Sequence, residues 1–134
     1  MQLQPYIFFY GRCEEALEFY KKTLGGTYEL KLVRDTPMAD QMPAERRNGV
    51  MHASFTADGI SFLAADGRDI KAIDPDAGNI SLSLTATDAV EGDRVFRALS
   101  DGGKVTMPLE AAFWGGRFGM FFDRFGIEWM MTAP

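Results

Sequence analysis

Basic residues are in short supply, and so are cysteine, histidine and long apolar runs. The 134-residue chain carries 14 Lys and Arg against 19 Asp and Glu, a formal charge of −5. Nucleic acid and anionic membrane surfaces need a concentrated basic patch, and the densest basic pairs here are Lys21-Lys22 and Arg46-Arg47. The one cysteine, Cys13, cannot close an internal disulfide and suits a reducing compartment. No segment approaches the roughly 20 apolar residues of a membrane span, and MQLQPYIFFYG lacks the basic start and apolar length of a signal peptide. The expectation is a soluble, cytoplasmic protein with no nucleic-acid partner and no membrane partner.

Apolar and aromatic side chains are plentiful, at 46% and 13% of the chain. That composition excludes a disordered chain and supplies enough surface for one buried core. PYIFFY, residues 5–10, reads as a strand. CEEALEFYKKTL follows, with Ala16, Leu17, Tyr20 and Leu24 on one helical face, and Gly25-Gly26 ends that helix. TYELKLV alternates as a strand. RDTPMADQMPAERRNG, residues 34–49, has two prolines and no period, so it is expected as a loop, either a functional lid or a mobile excursion. VMHASFT and ISFLAA flank Ala57-Asp58-Gly59, a hairpin signal.

Residues 66–78, DGRDIKAIDPDAG, read as a connector, and the pattern then restarts. NISLSLT is a strand, Asp88 and Glu91 form a capping-box start, Val95, Phe96 and Leu99 mark an apolar helix face, and Gly102-Gly103 ends it. KVTMPL, GRFGMFF and IEWMMT are the closing strands. Phe19 precedes Gly25-Gly26 by the spacing at which Phe96 precedes Gly102-Gly103, and Gly59-Ile60 matches Gly126-Ile127. The chain therefore reads as one domain, 1–134, holding two copies of strand–helix–strand–strand–strand. The first module is 1–66, the connector 67–78 and the second module 79–134.

With one helix per module, only one face of each set of strands can be covered. Met51, Ala53 and Phe55 oppose His52, Ser54 and Thr56. Ile80, Leu82 and Leu84 oppose Asn79, Ser81, Ser83 and Thr85. Ile127, Trp129 and Met131 oppose Glu128, Met130 and Thr132. The uncovered faces thus carry hydroxyls, a histidine, an amide and scattered apolar groups, among which Ile7, Phe9, Leu63 and Met130 are expected. A solvated face more often carries Lys, Glu and Arg, so this mixture suits a half-wet surface that holds a ligand.

PYIFFYGRCEEALEFYKKTLGG at the start and FWGGRFGMFFDRFGIEWMM at the end, joined by two βαβββ patterns, resemble the vicinal-oxygen-chelate superfamily of glyoxalases, bleomycin-resistance proteins and extradiol dioxygenases. More narrowly, the chain resembles the PhnB-like branch, often described as 3-demethylubiquinone-9 3-methyltransferase-like. The resemblance implies an α+β fold: two βαβββ modules forming a curved, mostly antiparallel sheet, helices outside and a central cavity. It also implies four strand positions offering ligands to a divalent ion in the metal-dependent members, and these fall on Pro5, His52, Asn79 and Met130. Proline has no donor side chain and methionine is too soft for a hard cation, so no metal and no cofactor are expected. A non-standard set of His52, Glu128 and Asn79 remains open.

The candidate ligand-binding residues are His52, Ser54, Asn79, Ser81, Trp114, Glu128 and Met130, with no catalytic residue assigned. Trp114 suits either the mouth of a cavity or ordinary packing, Trp129 belongs to the core, and Asp123 fixes a turn. Cys13 at a helix start reads as inert rather than reactive, with Glu14 and Glu15 beside it. DPDAGN, 74–79, lacks the acidic twelfth residue of a calcium loop, where Thr85 stands. The expected function is metal-free small-molecule binding by a homodimer. The alternative is a divalent-metal-dependent lyase, isomerase or dioxygenase, with methyl transfer behind both, since no glycine-rich nucleotide loop follows the first strand.

Overall fold

The computed structural model describes residues 1–67 and 78–134. The chain divides into two compact units, Met1–Ala72 and Ile73–Pro134. The proposed connector and the DPDAGN stretch fall mostly on 68–77 and lie outside the described residues. Unit one contains β1 (Tyr6–Phe8), α1 (Cys13–Leu24), β2 (Thr27–Leu32), β3 (Val50–Ala57) and β4 (Ile60–Ala65). Unit two repeats the order with β5 (Leu82–Thr85), α2 (Ala89–Ser100), β6 (Lys104–Ala111), β7 (Arg117–Phe122) and β8 (Glu128–Ala133). Each unit forms its own four-stranded mixed sheet, in the orders β1-β4-β3-β2 and β5-β8-β7-β6. In both sheets the first strand runs parallel to the last and the other pairs are antiparallel. This is an α+β fold of two βαβββ modules.

The helices form where period and punctuation agree. Glu14 and Glu15 open α1 and Lys21 and Lys22 close it, each sign at the favourable end of the dipole. Gly25, at φ 77°, donates its N–H to the Lys21 carbonyl and stops the helix. In α2 the Asp88 carboxylate accepts from Glu91 N at 2.8 Å, and the Glu91 carboxylate accepts from Thr87 N at 2.7 Å. The reciprocal bond of a capping box is therefore displaced by one residue, onto Thr87. That bond also holds the Glu91 carboxyl below its ordinary pKa.

Both helices bury one stripe against one sheet face. Tyr20 meets Phe55 and Phe62 edge-on at 6.4 and 6.0 Å, and those two rings stack at 5.1 Å. In unit two Phe96 meets Phe121 at 4.9 Å, with Val95, Leu99, Trp129 and Met131 buried. The buried stripes Cys13, Ala16, Leu17, Tyr20 and Gly92, Val95, Phe96, Leu99 correspond at an offset of 79 (96 − 17). Phe96 thus takes the place of Leu17, not of Phe19 as the glycine spacing suggested, because packing aligns helices by face. The glycine pairs themselves do correspond. A Cβ on Gly26 would lie 2.1 Å from the Thr56 carbonyl oxygen, and one on Gly103 would lie 1.9 Å from that of Phe122. At both places the helix–strand junction runs against the neighbouring strand too closely for a side chain.

Two strand readings and one loop reading shift. The strand expected at 79–85 begins at Leu82, since its parallel partner β8 starts only at Glu128 and leaves residues 79 and 80 without a ladder. On β1, Tyr6 pairs with Leu63 and Ile7 with Ala64, so Tyr6 and Phe8 share the uncovered face. Ile7 and Phe9 turn the other way, and Phe9 is buried beside Tyr20 at 6.0 Å between ring centres. Residues 34–49 are no plain loop. They fold into short 3₁₀ turns at Pro37–Gln41 and Ala44–Arg46 after one at Val33–Asp35. Bonds from Val33 N to Gly49 O (3.0 Å) and Arg34 N to Arg47 O (2.8 Å) close the ends together, as in an Ω-loop.

Candidate functional site

Strand register arranges the uncovered face of each sheet in rows. On the first sheet Glu29, Ser54, Leu63 and Tyr6 form one row across four strands, and Lys31 lies opposite His52 in the next. The Tyr6 hydroxyl shares a hydrogen bond with His52 Nδ1 at 3.0 Å. Burial, and to a lesser degree the nearby Cys13 thiol, raise the Tyr6 pKa above its ordinary 10.0. The phenol therefore stays protonated at neutral pH, and it donates to a neutral imidazole that carries its proton on Nε2 or accepts from one that carries it on Nδ1. Gln4 reaches Ser61 on the same face.

On the second sheet Met107, Met120, Met130 and Ser83 form a row. Glu110, Phe118, Thr132 and Thr85 form another, and Lys104, Phe122 and Glu128 a third. Ser81 donates its hydroxyl to the Glu128 carboxylate. Trp114 sits in the β6–β7 turn, more than half exposed, with its ring against Phe118 at 5.6 Å. Ser81, Glu128, Met130 and Trp114, through Phe118, therefore belong to one face of the second module. His52 and Ser54 belong to one face of the first. Asn79 lies exposed ahead of β5, outside the ladder.

A pocket of about 540 Å³ lies within the first unit, between β1 and the 33–49 segment, lined by Tyr6, Phe8, Tyr10, Met38, Met42 and Arg46 among others. None of these is among the ligand contacts expected from the sequence, although residues 34–49 read there as a loop that could be a functional lid. An all-apolar PYIFFY has no polar phase to reveal which residues face outward, and Met38 and Met42 stand in an aperiodic stretch. The one available clue was the Tyr10-Gly11 pair ahead of a helix. Tyr10 holds a left-handed φ of 50°, a conformation costly for a bulky residue.

The ligand positions implied for a divalent ion do not survive in this set. Pro5 precedes β1 and uses its carbonyl to accept from Leu63 N, so the first-strand group beside His52 is the Tyr6 phenol. Met130 offers a thioether, and Glu128 already receives the Ser81 hydroxyl. Among the described residues no three His, Cys, Asp or Glu side chains come together as a metal-binding group. One imidazole with a protonated phenol is a poor match for a hard divalent cation.

Elsewhere the polar groups are structural. Asp66 accepts from Cys13 N at 2.9 Å and Val50 N at 2.8 Å, tying β4 to α1 and β3. Burial, then the charges of Asp66 and Glu14, push the Cys13 thiol up to about 12, so it is inert. No helix among the described residues is long and apolar enough to cross a membrane.

The fold of two βαβββ modules is similar to that of a solved structure from the glyoxalase/bleomycin resistance protein/dioxygenase superfamily. A member of that superfamily from Sphaerobacter thermophilus is similar over 100% of this chain and 98% of its own, with a TM-score of 0.57 at 21% identity. The chain belongs to the family described as 3-demethylubiquinone-9 3-methyltransferase, whose model matches residues 1–132. It is 33% identical to protein YjdN of Escherichia coli, over 99% of this chain and 95% of that protein. It is also similar to the crystal structure of PA1353 from Pseudomonas aeruginosa, at 36% identity and a TM-score of 0.84, covering 99% and 97% of the two chains.

Proposed function

We propose that this protein binds a small organic molecule on the uncovered faces of its sheets without the help of a metal ion. The observation that carries the reading is the make-up of those faces. They present hydroxyls, thioethers and aromatic rings in register, with the charged Glu29, Lys31, Lys104 and Glu110 confined to the edge strands β2 and β6 and the His52–Tyr6 and Ser81–Glu128 pairs as hydrogen-bonded polar points further in. Such a surface can desolvate an apolar body and orient it through a few hydrogen bonds. Two of the four positions implied for a metal hold groups that cannot serve a hard cation, Pro5 and Met130.

Denaturing the purified protein and identifying any released molecule by mass spectrometry, beside elemental analysis of the same sample, tests this directly. A stoichiometric organic molecule with no stoichiometric metal is expected. A divalent ion whose chelation abolishes ligand binding would overturn it in favour of a metal-dependent lyase, isomerase or dioxygenase. Methyl transfer, the activity in the family's description, gains no support from the β1–α1 junction, where Tyr10-Gly11-Arg12 holds a single glycine. Calorimetric binding of a methyl-donor nucleotide would reverse that judgement.

The reading includes a cytoplasmic homodimer. Strand β6 is an edge, and Val105 and Met107 on it are 43% and 46% exposed. Apolar edges of this kind favour pairing with a second copy. Light scattering at micromolar concentration is expected to give twice the chain mass; a monomer mass would remove this part.

A further inference from the structure

We infer that the pocket beneath the 33–49 segment is a binding site for a neutral, flat aromatic molecule. The inference rests on the reading of the chain as a small-molecule binder and names a ligand class for one place on it. One wall is aromatic: Tyr6, Phe8 and Tyr10 come from five consecutive residues, and the Tyr6 and Phe8 rings lie 5.2 Å apart on one side of β1. The lining also carries three methionines: Met38 and Met42, one on each side of the Ala39–Gln41 stretch, and Met51 of β3. Thioethers adapt their shape and make favourable contacts with ring edges and faces, at about 5 Å from sulfur to ring. A flat π system between rings and thioethers gains both kinds of contact, which a saturated body of equal size does not.

Charge argues for a neutral guest. The lining holds one guanidinium, Arg46, and one carboxylate, Asp66, and so has no net charge. Asp66 accepts two backbone N–H groups and Arg46 donates to the Gly67 carbonyl, so both already serve the architecture. The volume of about 540 Å³ lies within the range of small-molecule sites, roughly 300–1,000 Å³. Tyr10, in its left-handed conformation, turns the chain from β1 toward α1 at the rim. The closed ends of the 33–49 segment and the 3₁₀ turn Pro37–Gln41, which Met42 follows directly, set Met38 and Met42 in place.

The test uses 2-naphthol and its saturated counterpart decahydro-2-naphthol, with the protein labelled at its methionine methyl carbons. The eight methionine methyl signals are assigned from single Met→Leu variants. With 2-naphthol, the Met38, Met42 and Met51 methyls should move upfield by ring current while Met107, Met120 and Met130 stay in place. The saturated alcohol should bind at least tenfold more weakly. Met38→Gln with Met42→Gln, both outside the buried core, should weaken 2-naphthol at least tenfold. Shifts confined to Met107, Met120 and Met130 would overturn the pocket assignment and leave small-molecule binding standing on the second sheet. Equal binding of the two alcohols would overturn the aromatic class. No methyl shift with either alcohol would also sink the inference, whereas the broader function is decided separately by the co-purified molecule.

Discussion

Asp123 is the residue whose replacement reports most directly on how the second module holds strand β8. It is 3% exposed, and its carboxylate accepts from Phe125 N (2.9 Å), Ile127 N (3.0 Å) and Trp129 Nε1 (2.9 Å). Those bonds shape the turn that sets the register of β8, and β8 carries Glu128 and Met130. A hydrogen bond to a charged group contributes about 1.5–3 kcal/mol, and a buried donor left without an acceptor costs about 1–3 kcal/mol. Asp123→Ala strands three donors at once. Allowing for relaxation and non-additivity, the expected loss is about 3–5 kcal/mol. Asp123→Asn keeps one oxygen for the two backbone donors but can set an amide N–H against the indole N–H, for about 2 kcal/mol. Trp129→Phe removes that conflict, so combined with Asp123→Asn it should cost less than in the native chain, by about 1 kcal/mol or more. Urea unfolding followed by far-ultraviolet circular dichroism measures all four corners of the cycle. An Asp123→Ala loss below about 1 kcal/mol, or strict additivity of the pair, would refute the reasoning.

Three further outcomes follow from the same geometry. Gly103→Ala must push a Cβ into the Phe122 carbonyl and should cost about 3 kcal/mol. Gly25→Ala, at φ 77° with nothing within 4 Å, should cost only about 1 kcal/mol; equal losses would contradict the close-approach argument. Tyr6→Phe removes the phenol partner of Nδ1 of His52, the sole histidine, so its ¹⁵N spectrum should show a changed split of the proton between Nδ1 and Nε2 at a pH where the ring is neutral; an unchanged tautomer would show that Tyr6 does not set it. The Cys13 thiol titrates ordinarily near 9.0 and in the folded chain near about 12, so below the lower value both states keep the proton and this group adds no pH dependence. Between those values only the unfolded chain ionises, and stability should fall by up to about 1.4 kcal/mol per pH unit. Cys13→Ala should flatten that decline in urea midpoints, and an equally steep fall in the variant would assign it to other groups.

Much of the architecture was legible because local signals agreed with one another. Helix α1 was readable to the residue, since Glu14-Glu15, Lys21-Lys22 and Gly25 mark its ends independently of its apolar stripe. The hairpins at Asp58-Gly59 and at Asp123–Gly126 were readable from turn chemistry, and the repeat from the spacing of those glycines. The side of β8 bearing Glu128 and Met130 was readable because polar and apolar residues alternate there. On β1 there is no alternation, and the assignment of Ile7 and Phe9 to the uncovered face was reversed by the pairing with β4.

What the sequence alone determined was the sum of short-range physics: two helices, their ends, the turns, and a doubled order of elements. These depend on contacts within a few residues and on periodicity, so the linear chain contains them. Tertiary structure alone decided the 79-residue correspondence of the helix faces, the meeting of Tyr6 with His52, and the gathering of Met38 and Met42 with the β1 rings around one pocket. Each of those joins residues distant in the chain or aligned by packing shape, and side-chain complementarity at such range leaves no periodic trace in the order of the amino acids.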